Sequence, residues 1–281
     1  RAVQPVLEKL DGSYEEAAKV MGAKQGLIFR KVILPELLPP LLTGTGLAFG
    51  RCLGEYGSVV FIAGNIPFKT QIAPLLIMSK LEQYKYADAT AIAVVLLLLS
   101  FVVMFLINWI QIRMQRFNDG GEKGASLKKV IEPFEKDGHS PVRILLIITS
   151  IVFLIVMMVL PLMLVISGAL KEGWDAYQHA IFDEYTVKAL KLTIIATVTA
   201  VVVNTIFGIF AAILISKYSF RGRQVLATLI DIPFSISPVI VGLAYLMTFG
   251  RLGWFYPVIR KINDLLGTNF RITFAIPGVV L

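Results

Sequence analysis

From Ile144 to Leu170 the chain carries no ionisable side chain. A run of about 20 apolar residues is what a helix needs to cross the hydrocarbon core of a bilayer. Leu192 to Ser216 is equally free of charge, and Ala89 to Ile112 is interrupted only by uncharged polar residues such as Ser100 and Asn108. Two further stretches, Leu37 to Ala63 and Val225 to Phe249, are long enough but contain prolines and the charges Arg51, Glu55 and Asp231. A soluble core hides one such run, not several. Lipid offers the backbone no hydrogen-bond partners, so each span has to be a helix. The expected fold is therefore all-α, a polytopic transmembrane bundle with five complete spans and a truncated sixth, Ile272 to Leu281. Membrane lipid is its surroundings. The chain begins at Arg1 and ends at Leu281 inside that apolar run, and it reads as a fragment of a longer protein.

The formal charge is +8, yet it is not spread as in a nucleic-acid binder. Residues 1–36, 113–143 and 217–223 together hold 16 of the 27 basic residues. Alternation along five spans puts these three segments on one side, and the bias of Lys and Arg toward the cytoplasm makes that side internal. Of the opposite loops 64–88, 171–191 and 250–271, the last is the weakest fit, with Arg251, Arg260, Lys261 and Arg271. Residues 118–141 are polar and rich in Gly, Lys and Glu, without apolar periodicity, and read as a cytoplasmic linker between a unit at 1–117 and a unit at 142–281. Cys52 is the single cysteine, so no internal disulfide can form.

The first basic segment reads Glu16-Ala17-Ala18, three residues, Gly22, nine residues, Val32, one residue, Leu34-Pro35. Ser13 stands three positions before Glu16, the spacing of a capping box. Glu15 and Glu16 suit the positive end of a helix dipole. Ala17, Ala18, Val20 and Met21 give a small, smooth face, and Gly22 ends the helix. A second short amphipathic helix through Leu27, Ile28 and Phe29 is expected to close at Pro35. Such a small-faced helix suits a partner's groove, with an interfacial helix on lipid as the plainer reading.

Two more clusters lie within predicted spans. Arg51 and Glu55 are four apart and share a face if both are helical. A charge inside a bilayer costs roughly 2.5–3.5 kcal/mol on insertion scales, so both should face protein or a water path. They either hold helices together or line a pathway. Gly46, Gly50, Gly54 and Gly57 would let neighbouring backbones approach. In Asp231-Ile232-Pro233-Phe234-Ser235-Ile236-Ser237-Pro238 the prolines remove backbone donors and break the helix. Ser235 and Ser237 then either serve a polar path or merely accompany a packing kink. His139 and His179 are isolated, no metal cluster or cofactor motif is visible, and no Gly-Lys-Ser/Thr phosphate loop occurs, so no catalytic set emerges.

The spacing at 16–35 matches the EAA signature of bacterial importer permeases, with Val32 in place of Ile as the sole departure. The chain resembles the sulfate/thiosulfate ABC importer permeases, and does so in two pieces. Residues 1–117 resemble the C-terminal part of the T-type subunit through VQPVL at 3–7, the EAA segment and RCLGEYGSVVFIAGNIPFKT at 51–70. Residues 142–281 resemble the N-terminal part of the W-type subunit through LKLTI at 190–194 and the run from Asn204 to Leu246. The resemblance implies a type I ABC importer permease fold in a multi-pass bacterial inner-membrane protein. It implies a cytoplasmic ABC ATPase dimer, a periplasmic sulfate-binding protein and a second permease subunit as partners. By the same resemblance Glu16, Ala17, Ala18, Gly22, Leu34 and Pro35 couple to the ATPase. The join departs from the family and reads either as a fusion of the two subunits or as two adjoining frames run together. Molybdate and tungstate permeases share the RxxGE(F/Y)G pattern, and molybdate, tungstate or phosphate are the alternative anions. A membrane enzyme using Arg51, Glu55 and Asp231, or a membrane scaffold, is the remote alternative.

Overall fold

The computed structural model describes residues 2–9, 12–118, 141–218, 220–267 and 271–280. Most of the segment read as a linker, residues 119–140, lies outside the described residues. Among the described residues the regular structure is helical throughout. In chain order the elements are α1 (Gln4–Lys9), α2 (Gly12–Val20), α3 (Gln25–Leu53), α4 (Val59–Ala63), α5 (Ala73–Glu82) and α6 (Tyr86–Asn118). A helix entered at Pro141 follows, whose apolar part Leu145–Leu170 is α7. Then come α8 (Trp174–Phe182), α9 (Glu184–Lys217), α10 (Arg223–Ser235), α11 (Pro238–Phe249), α12 (Tyr256–Leu266) and α13 (Ile276–Val280).

Four of these helices, α3, α6, α7 and α9, are long and apolar enough to cross a membrane. Three of the expected segments come out differently. The span drawn from Leu37 to Ala63 begins earlier, at Gln25, and its helix stops at Leu53, because the Gly54–Ser58 turn redirects the chain into α4. The span drawn from Val225 to Phe249 is divided into α10 and α11 by Ile236, which is extended (φ −95, ψ 140), with Pro238 opening the second helix. Twelve residues rise only about 18 Å, so neither part reaches across alone. Pro233 lies within α10, and of the two prolines only Pro238 stands at the break. The truncated span at 272–281 forms only the short α13.

Pro35 does not close a helix. The turn before it, Phe29–Ile33, widens to π geometry, and the Leu34 N–H reaches back to the Phe29 carbonyl. The wider turn lets α3 continue past a residue that has no N–H and would otherwise press on the preceding turn. The same device recurs in α7, where the π turn Ile155–Val159 immediately precedes Leu160-Pro161.

The parts before and after 119–140 pack as one body. Every buried apolar cluster draws on both: Phe49 and Leu53 with Val201, Ala73, Leu76 and Ile92 with Ala189, Ala91 and Val94 with Ala169 and Ala180. At the basic end α1 lies on α9, with Val3 and Leu7 against Ala212 and Glu8 at 3.5 Å from Arg223. At the other end the loop between α4 and α5 is pinned to the start of α9. Phe68, at φ 61, stacks on Tyr185 with 4.2 Å between ring centroids, and the Ala73 N–H donates to Thr193 Oγ1 at 2.7 Å. The three basic segments thus share one end of the bundle wherever they are described.

Candidate functional site

Two places combine unusual chemistry with defined geometry: the α2–α3 corner on the basic end, and a largely apolar cavity among the spans with a carboxylate in its wall. The corner is built by Gly22. Its φ of +83 is a left-handed conformation that glycine adopts without cost. The Gly22 N–H donates to the Lys19 carbonyl at 2.9 Å and the Ala23 N–H to the Ala18 carbonyl at 3.0 Å. These paired bonds are a Schellman stop, and they satisfy carbonyls that the end of α2 would leave open. The side chains of Ser13 and Glu15 lie outside the described residues.

The stop decides what the corner displays. Ala18 turns inward and is buried, whereas Glu16 and Ala17 face out. Val20 and Met21 are 88% and 81% exposed, and Leu27 across the corner is 53% exposed. A Cβ added at Gly22 would meet nothing within 4 Å, so the surface here is open. Leu34 and Pro35 are half-buried at the root of α3 and set its register through the π turn. Val20, Met21 and Leu27 were not singled out in the sequence as site residues. Their signal is large apolar side chains flanking a helix stop in a segment that also carries Glu15, Glu16, Lys19 and Lys24.

The cavity has a volume of about 140 Å³ and lies between the end of α3, α4, α9, α11 and α13. Its polar lining comes from Glu55, Ser58, Thr193, Thr197, Asn204 and Tyr245. Helix α3 ends at Leu53, so Arg51 and Glu55 do not share a helix, and the face-sharing expected from their spacing does not apply. Glu55 instead accepts hydrogen bonds from the Ser58 N–H at 2.9 Å and the Ser58 hydroxyl at 2.8 Å. That caps the turn into α4 and fixes the carboxylate at the cavity wall. The wall is tight. A Cβ on Gly242 would lie 2.6 Å from the Ser58 carbonyl oxygen, so α11 can approach only as glycine. Gly57 against Pro238 and Gly46 against Ile107 also mark close approaches, while Gly50 and Gly54 have no neighbour within 4 Å.

Thr193, Thr197 and Asn204 share one face of α9, at spacings of four and seven. Reading the span only as free of charge hides this stripe, whose signal is Thr and Asn at spacings of four and seven. Asp231 belongs elsewhere, to a separate cavity of about 140 Å³ nearer the basic end, with Gln4, Gly208 and Ala227. Asp231 and Glu55 are therefore not brought into a common site. Ser237 precedes α11 and is exposed, and its side chain does not cap that helix; the side chain of Ser235 lies outside the described residues. Among the described residues, no three His, Cys, Asp or Glu side chains gather as metal ligands would.

Residues 2–116 match the family model described as "Binding-protein-dependent transport system inner membrane component". The same part is 51% identical over 116 residues to a sulfate transport system permease protein of Salmonella typhimurium, covering 41% of this chain and 42% of that protein. It is 50% identical over 116 residues to the Escherichia coli protein of that name, with the same coverage of 41% and 42%. It is also 49% identical over 117 residues to a probable sulfate transport system permease protein of Nephroselmis olivacea, covering 42% of this chain and 41% of that one. The chain thus spans about two fifths of the length of the curated relatives it matches. No solved structure matches it significantly.

Proposed function

We propose that this chain, whose residues 2–116 match the model of the binding-protein-dependent transport system inner membrane component family, is a non-catalytic permease subunit of an ATP-driven oxyanion importer, with sulfate or thiosulfate as substrate. The observation that carries the reading is the α2–α3 corner. A helix stopped by a left-handed glycine presents Val20, Met21 and Leu27 to solvent on the basic side. Large apolar side chains left in water beside charged ones mark a protein contact. The occupant is a cytoplasmic ABC ATPase dimer, whose closure pushes on the corner. The rigid run from the corner through the π turn into α3 carries that push to the Glu55 cavity.

Glu16, Ala17, Ala18 and Gly22 form the docking helix, and Leu34 and Pro35 hold it in register with the span. Arg51, Glu55, Asp231, Ser235 and Ser237 belong to packing or pathway. A periplasmic binding protein delivers the anion and a second permease subunit completes the channel. Residues 142–281 supply W-type spans in this reading, and 118–141 joins the two units. Sulfate is favoured over molybdate, tungstate or phosphate by the relatives' names and by the sequence at 51–70.

The test is retention of a sulfate-importer ATPase on the purified full chain in detergent. Asp tolerates a left-handed backbone better than most residues, so Gly22→Asp keeps the stop and places a carboxylate on the open surface. The expected result is loss of at least nine tenths of the bound ATPase with no more than the small fall in melting temperature that a left-handed Asp brings. Full retention by Gly22→Asp would sink the assignment.

A further inference from the structure

The loop 250–271 breaks the charge bias that orients the rest of the chain, and the fold gives that anomaly a use. A cavity of about 500 Å³ opens between the end of α11, helix α12 and the strand of chain that leads to α13. Its charged lining is Arg251, Arg260 and Arg271 against Asp264, joined by Tyr256 and Thr273. The three guanidiniums come from three separate places: just after α11, the middle of α12, and the return beyond it. Their convergence is a product of folding and not of a basic run.

Helix α12 is sorted to suit. Tyr256, Ile259, Arg260 and Asn263, all lining the cavity, follow at spacings of three, one and three and so occupy one face. The apolar side chains Val258, Ile262 and Leu265 point elsewhere and are exposed, Leu265 by 84%. With Leu252 and Trp254, exposed by 101% and 90%, they suit the outer lipid–water boundary. The arginine side then faces the protein. Below it the chain runs directly to the inner cavity. Ile272 to Phe274 line the outer pocket, the Phe274 N–H donates to the Ile62 carbonyl at 2.7 Å, and Gly278 to Val280 line the pocket that holds Glu55.

We propose that this outer cavity binds a tetrahedral oxyanion group, either free sulfate or phosphate or the phosphate of a lipid headgroup. Arginine presents a planar fork of donors that matches such oxygens, and several guanidiniums around a concave wall raise the local anion concentration. The volume is ample for the ion with part of its hydration shell. Asp264 tempers the field. A site that binds and still releases is what a conduction path requires. The role as an entry point deepens the permease reading and rests on it, whereas the binding does not.

The experiment uses the full chain in nanodiscs of phosphatidylcholine, without any ATPase, and equilibrium dialysis with radiolabelled sulfate. Replacing Arg251, Arg260 and Arg271 together by Gln should weaken binding at least about tenfold, the loss of charge-assisted contacts at a solvated site. Asp264→Asn should tighten it a few-fold, and Arg221→Gln, at the opposite end, should leave it unchanged. The opposed signs of the triple arginine variant and Asp264→Asn separate a binding site from a misfolded one. In a second arm, discs containing phosphatidylglycerol are used. If that lipid competes with sulfate and is retained through the arginines by mass spectrometry, the headgroup is the bound group; if sulfate affinity is indifferent to it, the free ion is. Equal sulfate affinity and equal lipid retention in the triple variant would overturn the site. Failure of the Gly22 test would leave this one standing, and the reverse also holds.

Discussion

Helices α7 and α9 are both free of charge over their apolar cores, and hydropathy alone cannot tell them apart. The fold separates them completely. None of the apolar window of α7 is buried, and its large side chains from Leu145 to Leu164 are exposed apart from the half-buried Leu162. Helix α9 buries Ala189, Thr193, Ala196, Thr197 and Val201 against both halves of the molecule. The difference lies in small and polar residues. Helix α9 spaces Ala, Thr and Asn along one face, which lets neighbours approach and supplies hydrogen bonds. In α7 Gly168 and Ala169, at its outer end, make the close contacts, Gly168 with Thr90 and Ala169 beside Ala91 and Ala180. An apolar run says that a helix crosses lipid; its small residues say which side of it sees lipid.

The comparison breaks most visibly at the cavity wall that α9 shares with α11. Gly242→Val would drive a branched side chain into the Ser58 backbone, with Cα at 2.8 Å as well as the carbonyl oxygen at 2.6 Å. Backbone cannot yield as a side chain does, so the expected destabilisation is about 3 kcal/mol, the upper end of overpacking. Thermal unfolding in detergent reads it. Gly208→Val on α9, where an added Cβ meets nothing within 4 Å, is the matched control and should differ little from the parent. Equal melting of the two variants would mean that α11 does not lie where the fold puts it.

A smaller effect sharpens the same contrast. Thr193 accepts from the Ala73 N–H and donates to the Ala189 carbonyl, both at 2.7 Å, and is 2% exposed. Thr193→Val keeps the shape and removes the oxygen, which leaves a buried N–H unmatched at a cost of about 1–2 kcal/mol. Thr199, whose hydroxyl is exposed and donates only to the Ile195 carbonyl of its own helix, should tolerate the same change with no measurable shift. The ratio of the two measures how much of the polar content of α9 is structural glue.

How far the sequence revealed this differs from place to place. Three of the four long helices, the basic end and the Gly22 stop were readable, because apolar length, charge bias and a glycine closing a short helix are local properties. The Glu55 environment was not. Four-residue spacing assumed a helix that the Gly54–Ser58 turn ends, and a turn between two short helices leaves no periodic trace. Pro35 misled for a related reason: a widened turn absorbs it, and that widening depends on Leu34 bonding five residues back. The cavities are harder still. Asp231 and Glu55 lie in spans of similar polarity, and only the packing of α1 against α9 and α10 shows that they serve different spaces.

The smallest expected effect is the most direct test of the lipid-facing helix. Leu154 in α7 is 58% exposed, although it sits at the centre of a run with no charge. In a buried core Leu→Ala removes transfer energy and leaves a cavity, together about 2–5 kcal/mol. At a lipid-facing site neither term applies, since the acyl chain that replaces the lost methyls is as apolar as leucine. Leu154→Ala should therefore change stability by less than about 0.5 kcal/mol, within the range of ordinary surface substitutions. Leu53, 1% exposed at the foot of α3 and packed with Phe49 and Val201, is the reference and should lose the full core amount. A loss at Leu154 comparable to that at Leu53 would place a protein neighbour on α7.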